Sequence, residues 1–253
     1  MALAPGLFAQ EMVSLQTRPG VTQSFFIADV AGRKPEAVAL LYVGGGGAIN
    51  LRMEEGRPRF GAGNFLPRAR GEFIRNDVLP VILDTPSDHA GEMPDSFRSG
   101  AAHATDARAV VLEIKKRYPD VPVFLVGTSR GTLSVAYLAK AMGEEVAGAV
   151  FTSSLFYGPG RSRPALLSSF DWASLKTPLL FVHHTDDGCG ATPYFEAQRL
   201  AKRFPLISVS GGKAPESGPC EPLAQHGFHG KEPETVDAIA AWMLKRPYPK
   251  EIR

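Results

Sequence analysis

The residues best suited to chemistry are Gly127, Thr128, Ser129, Arg130 and Gly131, a Gly-x-Ser-x-Gly run. A short apolar run at 123–126 precedes it, of the kind a strand buried on both faces needs. A helical pattern follows at once, with Leu133, Val135, Ala136, Leu138 and Ala139 on one face. A strand that turns sharply into a helix strains the serine between them and pushes its hydroxyl out at the carboxyl end of the sheet. Glycines two residues before and after the serine let strand and helix pass without a Cβ clash. The Arg130 N–H, at a helix start, then faces the place where an oxyanion would form. The chemistry such a serine offers is nucleophilic attack on a carbonyl, given a base within reach. Ser129 as a plain helix N-cap accounts for the same five residues. The partners elsewhere in the chain decide between the two.

Those partners need a scaffold, and the composition allows one. The 253 residues can bury one large core, and 1–253 is expected to form a single domain. Apolar content of 44% and charged content of 21% fit a globular chain. The net charge of +2, with no dense basic stripe, argues against nucleic acid as a partner. No apolar run reaches eighteen residues, so no membrane span is expected. The start, 1–10, is apolar but lacks a basic segment; it is not an intact signal peptide and is compatible with one already removed.

Along the chain, 11–18 and 21–29 alternate around Pro19-Gly20, an antiparallel hairpin. Buried strands are expected at 37–43, 78–83, 123–126, 146–151, 178–183 and 206–209. Helices are expected at 99–118, after Gly131, at 193–203 and at 232–244, with a weak amphipathic piece near 64–70. In the 99–118 helix, Ala102, Ala109, Val110, Leu112 and Ile114 are available to a core. The stretch 157–177 is mixed, with Pro159, Pro164 and a short helix from Asp171. Alternating strands and helices predict an α/β chain: a mostly parallel, eight-stranded sheet covered on both faces, with an antiparallel edge.

This order, with the serine turn after the fifth strand, resembles the α/β-hydrolase fold over nearly the whole chain. It looks most like small lidless serine esterases and dienelactone-hydrolase-like proteins. Too few residues follow the sixth strand for the family's large cap domain. The serine, where dienelactone hydrolases carry a cysteine, argues against that specific chemistry. The resemblance implies a triad in chain order serine, acid, histidine. Of the six histidines, His89, His103, His183 and His184 come too early. His226 is favoured by the His-Gly-Phe turn at 226–228, and His229 is the alternative. The family's His-Gly-x-x-Asp pattern, laid on 183–187, selects Asp187 as the acid, with Asp186 as the alternative; His184 stands where glycine is usual. The glycine run at 44–47 follows the third strand, where the family draws a second oxyanion N–H, so Gly45 is the expected donor beside Arg130 and Gly46 the next.

Cys189 lies two residues after Asp187, and Cys220 six before His226. If both loops meet at one site, the thiols meet as well, and a disulfide is expected. It would imply a periplasmic or secreted protein; two unrelated thiols in a cytoplasmic protein are the alternative. A metal site from His183, His184, Asp186, Asp187 and Cys189 has no ligand spacing to support it, since neighbours on a strand point to opposite faces. Arg130, unusual beside a family nucleophile, is expected to form a structural ion pair with Asp84 or Asp88, with an acidic group on the substrate as the alternative. Ser87, Asp88 and His89 are candidates for the site wall. The expected function is hydrolysis of a small-molecule carboxylic ester, with no cofactor. Amide or thioester cleavage uses the same parts, and a non-catalytic ligand- or partner-binding protein is the rival reading.

Overall fold

The computed structural model describes residues 8–30, 33–158, 164 and 166–253; the chain's start at 1–7 and Pro159 lie outside the described residues. Strands β1 (Phe8–Arg18) and β2 (Val21–Val30) form the expected antiparallel hairpin. Its turn holds Gly20 at φ +71°, a conformation that favours glycine. The strand β3 (Ala37–Tyr42) follows, then a small separate hairpin of β4 (Arg52–Glu54) and β5 (Arg57–Arg59). Two short helices, α1 (Phe65–Arg68) and α2 (Arg70–Arg75), lead into β6 (Val78–Leu83). Next come α3 (Asp95–Arg98), α4 (Ala101–Arg117), β7 (Val123–Thr128) and α5 (Gly131–Met142). The remainder is β8 (Gly148–Thr152), β9 (Leu179–His184), α6 (Tyr194–Leu200), β10 (Leu206–Val209), α7 (Glu232–Met243) and β11 (Glu251–Ile252).

The main sheet has nine strands in the order β1-β2-β6-β3-β7-β8-β9-β10-β11. From β6 onward every pairing is parallel; only the β1–β2 and β2–β6 pairings are antiparallel. The ninth strand corrects the expected eight. Two residues of β11 are too few to show a period in sequence, and they become a strand only by pairing with β10.

Strands β3, β6, β7, β8 and β9 are buried at every residue. That is why they read as continuous apolar runs. Their side chains still alternate between faces. Val38, Leu40 and Tyr42 join the core under α4, α5 and α6, and Ala37, Ala39 and Leu41 the core under α1, α2 and α7. In α4 the buried stripe is His103, Ala104, Asp106, Ala107, Val110, Val111 and Ile114. Leu112, expected in the core, is 67% exposed. The polar members of the stripe hid its period. Asp106 can be buried because Thr17 and Arg18 of the hairpin both donate to its carboxylate.

Between β8 and β9 the described residues form only two single turns of tight helix, Leu167–Ser169 and Trp172–Ser174, and no cap domain. No helix among the described residues is long and apolar enough to cross a membrane. The chain passes from β6, on one side of β3, to β7 on the other. Sheets of this kind open a crevice at such a reversal, beyond the carboxyl ends of the strands. The glycine run after β3 and the serine after β7 both lie there.

Candidate active site

Ser129 sits at φ +51°, a left-handed backbone in a non-glycine residue. Its N–H donates to the Thr152 carbonyl of β8 at 3.0 Å, and its carbonyl accepts from the Thr132 N–H at 2.9 Å. The turn is therefore tied to the next strand and to the first turn of α5. The two glycines are required by contact. A Cβ on Gly131 would lie 2.1 Å from the Tyr42 carbonyl oxygen, and one on Gly127 would lie 2.7 Å from the Gly131 carbonyl oxygen.

The loop after β9 carries Asp187, whose side chain has no exposed surface. Its Oδ1 accepts from the Cys189 N–H at 3.0 Å, and its Oδ2 lies 3.1 Å from His226 Nδ1. The Thr192 hydroxyl donates to the same Oδ2 at 2.9 Å and lies 3.2 Å from His226 Nδ1. A carboxylate at Nδ1 favours the tautomer protonated there, leaving Nε2 as an acceptor. Nε2 is buried and has no hydrogen-bond partner among the described residues. Asp186 faces solvent, and His229 pairs with Glu216 at 3.1 Å. Of the alternatives left open by sequence, the structure brings Asp187 and His226 together.

The His226 turn is locally determined. A Cβ on Gly227 would lie 2.0 Å from the Pro222 carbonyl oxygen, so only glycine fits. Phe228 takes φ +55° and is fully buried, its ring centroid 4.8 Å from that of Phe65. The Ser153 hydroxyl donates to the His226 carbonyl at 2.8 Å, and Arg68 donates to the Gly227 carbonyl at 2.9 Å. The backbone is thus held at the histidine's own carbonyl and at the next one.

A cleft of about 180 Å³ is lined by Ser129, Gly44, Gly45, Asn64, Phe65 and His226, among others. A second, larger lobe of about 480 Å³ is walled by Arg130, Glu92, Asp95, Leu155, Tyr157 and Ala191. Ser129, Gly45 and Cys220 belong to both lobes. The serine stands where they join. No acceptor among the described residues takes the N–H of Gly45 or of Arg130. Gly45 has φ +59°, and a Cβ on Gly44 would come within 3.0 Å of Ser129 Cβ.

Two expectations need correction. Arg130 donates to Glu92 and Asp95, each at 2.6 Å, and not to Asp84 or Asp88. Asp84 is already occupied by the N–H groups of Ile49, Leu51 and Thr85. Asp88 is the partner of Arg18 at 2.8 Å. Nor do Ser87, Asp88 and His89 line either lobe. The Ser87 hydroxyl accepts from the Thr22 N–H, and the His89 ring lies 4.0 Å from that of Phe97. The loop after β6 folds back over the hairpin, and the segment at 91–95 faces the serine in its place. His184 is engaged by the Gly211 carbonyl and the Asp186 N–H, and burial pushes the His183 imidazole down to about 4.

Cys189 and Cys220 form a disulfide that joins the acid loop to the segment before His226. It closes a span of 31 residues, so reduction should remove about 3 to 4 kcal/mol of stability in the chain-entropy account. The expected result is a drop in the thermal midpoint on the order of 10 °C in calorimetry with and without reductant. An unchanged midpoint in protein whose thiols titrate as free after reduction would contradict this.

Residues 94–212, just under half of the chain, match the family described as Serine aminopeptidase, S33. A search of curated proteins finds no match to the sequence. Among solved structures, Est1E from Butyrivibrio proteoclasticus is similar at 13% identity and TM-score 0.61, covering 92% of this chain and 98% of that one. An α/β serine hydrolase without lid from Xanthomonas campestris is similar at 13% identity and TM-score 0.55, covering 93% and 96%. The esterase Pf2001 of Pyrococcus furiosus is similar at 17% identity and TM-score 0.58, covering 94% and 92%. These likenesses are likenesses of fold. With its sheet order, its reversal at β3 and its strained serine turn, the chain has the α/β-hydrolase fold, with no large cap domain among the described residues.

Proposed function

We propose that the protein is a serine hydrolase that cleaves carboxylic esters. One observation carries the reading: a strained serine shares a cleft with a histidine whose Nδ1 is held by a buried carboxylate and whose Nε2 has no partner among the described residues. In this mechanism the Ser129 Oγ attacks the ester carbonyl while His226 Nε2 takes its proton. Asp187 steadies the imidazolium, and the N–H groups of Arg130 and Gly45 receive the oxyanion. The tetrahedral intermediate collapses as His226 gives its proton to the leaving alcohol. Water, activated by His226, then attacks the acyl-enzyme, releasing the acid and restoring Ser129. The smaller lobe, beside His226, suits the leaving group, and the larger one the acyl group. With no cap among the described residues, the larger lobe is open enough for bulky acyl groups. The disulfide supports a periplasmic or secreted location, since such bonds persist in oxidising compartments.

A second reading has specific support. The family match bears the description of an aminopeptidase, and the acyl lobe holds the carboxylates of Glu92 and Asp95. An N-terminal ammonium would fall near them, although both already bind Arg130. Assays of p-nitrophenyl esters of graded acyl length beside aminoacyl p-nitroanilides decide between the two. Turnover of the esters at least tenfold above the anilides is expected; the opposite order would transfer the assignment to peptides.

A further inference from the structure

Arg98 is the largest of the fully buried side chains, with 0% exposure. Among the described residues, every hydrogen bond it makes goes to a neutral acceptor. Nε donates to the Met93 carbonyl at 3.2 Å, Nη1 to Ser134 Oγ at 3.0 Å, and Nη2 to the Gly45 carbonyl at 3.1 Å. Burial pulls its pKa down to about 10, and the neighbouring Arg130 pulls the same way, yet it stays charged at neutral pH. The nearby carboxylates of Glu92 and Asp95 are bonded to Arg130 instead. Holding a guanidinium out of water without a carboxylate costs several kcal/mol, so fold stability does not explain it.

Its acceptors point to another purpose. Met93 belongs to the segment before α3, Gly45 to the glycine turn, and Ser134 to the first turn of α5, just beyond Ser129. One planar fork therefore ties the glycine turn to the helix that carries the nucleophile. The turn was shaped to admit it: a Cβ on Gly47 would lie 2.7 Å from Arg98 Nη2. Three successive carbonyls of the turn are each held by a donor. Gly44 O accepts from the Gly47 N–H at 3.2 Å, Gly45 O from Arg98, and Gly46 O from the Met93 N–H at 2.8 Å. In a trans peptide the N–H points opposite to the carbonyl. Fixing the carbonyls of Gly44 and Gly45 thus fixes the N–H groups of Gly45 and Gly46, and Gly45 lines the cleft beside Ser129.

We propose that Arg98 is a positioning residue of the oxyanion site. Its fork holds the Gly45 carbonyl, which orients the Gly46 N–H and braces the backbone that presents the Gly45 N–H, and its buried charge sits behind that peptide. The cation's counter-charge is then created only as the tetrahedral intermediate forms, which lowers the barrier without tightening substrate binding. This rests on the serine-hydrolase reading above.

The test uses the full-length, disulfide-bonded protein and its best p-nitrophenyl ester. Arg98→Met should lower kcat about 100-fold, the scale of one lost oxyanion donor, with KM within about threefold. Inhibition by a trifluoromethyl ketone, which becomes tetrahedral on Ser129, should weaken in step with kcat. Arg98→Lys, which keeps the charge and loses the fork, should fall in between, and it decides the matter if Arg98→Met does not fold. A merely structural role would leave folded Arg98→Lys with wild-type kcat and wild-type ketone affinity, and that result overturns the proposal. If wild-type turnover depends on Ser129 while both variants keep it, only this inference falls. A wild-type protein that hydrolyses no ester and takes up no phosphonate overturns both readings.

Discussion

A fluorophosphonate should add once to the protein, at Ser129, and Ser129→Ala should abolish both the adduct and ester turnover. The reagent loses fluoride as the Ser129 Oγ–phosphorus bond forms, and the serine proton leaves through His226 Nε2. The step needs the strained turn, the partnerless imidazole nitrogen and an oxyanion donor together, so an ordinary surface serine does not undergo it. Alanine keeps the φ of +51° with no more difficulty than serine, so the turn and its tie to Thr152 should persist. Loss of turnover can then be read as loss of the hydroxyl. The expected fall in kcat is about six orders of magnitude, down to the background that an intact oxyanion site and binding still supply. Intact-mass spectrometry and peptide mapping provide the measurement. An adduct that survives Ser129→Ala would show that another nucleophile reacts, and Ser129 would lose its assignment.

Much of this site could be read in the chain because its parts are local. The serine turn is five consecutive residues with an apolar run before it, and the steric demands of Gly127 and Gly131 are set within that turn and its neighbours. The His-Gly-Phe turn is equally compact, with Gly227 against Pro222 and Phe228 as its anchor. What sequence left open was decided across long separations. Thr192, which bonds Asp187, also meets His226 Nδ1 from 34 residues away, and nothing in a lone threonine before Pro193 announces that. Arg98 stands just before the 99–118 helix and nothing around it in the chain singles it out; its burial depends on the glycine turn 53 residues earlier and on α5 after it. A signal was present in Gly47, the last glycine of the run, but its meaning needs the guanidinium beside it. The partner of Arg130 was misplaced for the same reason: strand ends are visible in a sequence, whereas the path of the loop leaving them is not.

His226→Ala should lower kcat by about three orders of magnitude or more, while His229→Ala should cost far less. The two histidines lie three residues apart and are both nearly buried, at 4% and 9% exposure, so burial does not separate them. Their partners do. His226 faces a carboxylate with no exposed surface, already held by the Cys189 N–H and the Thr192 hydroxyl. That carboxylate cannot turn to water when the imidazole is lost, and it stabilises the imidazolium whenever a proton arrives. Glu216, which faces His229, has a side chain 62% exposed and is free to solvate. An imidazole there gives a partly screened ion pair at most, worth a fraction of a kcal/mol to stability and nothing to proton transfer at Ser129. His229→Ala should therefore leave kcat nearly unchanged and lower the thermal midpoint slightly. If His229→Ala proves the more damaging to kcat, the base has been assigned one turn too early and Asp187 loses its partner in the mechanism.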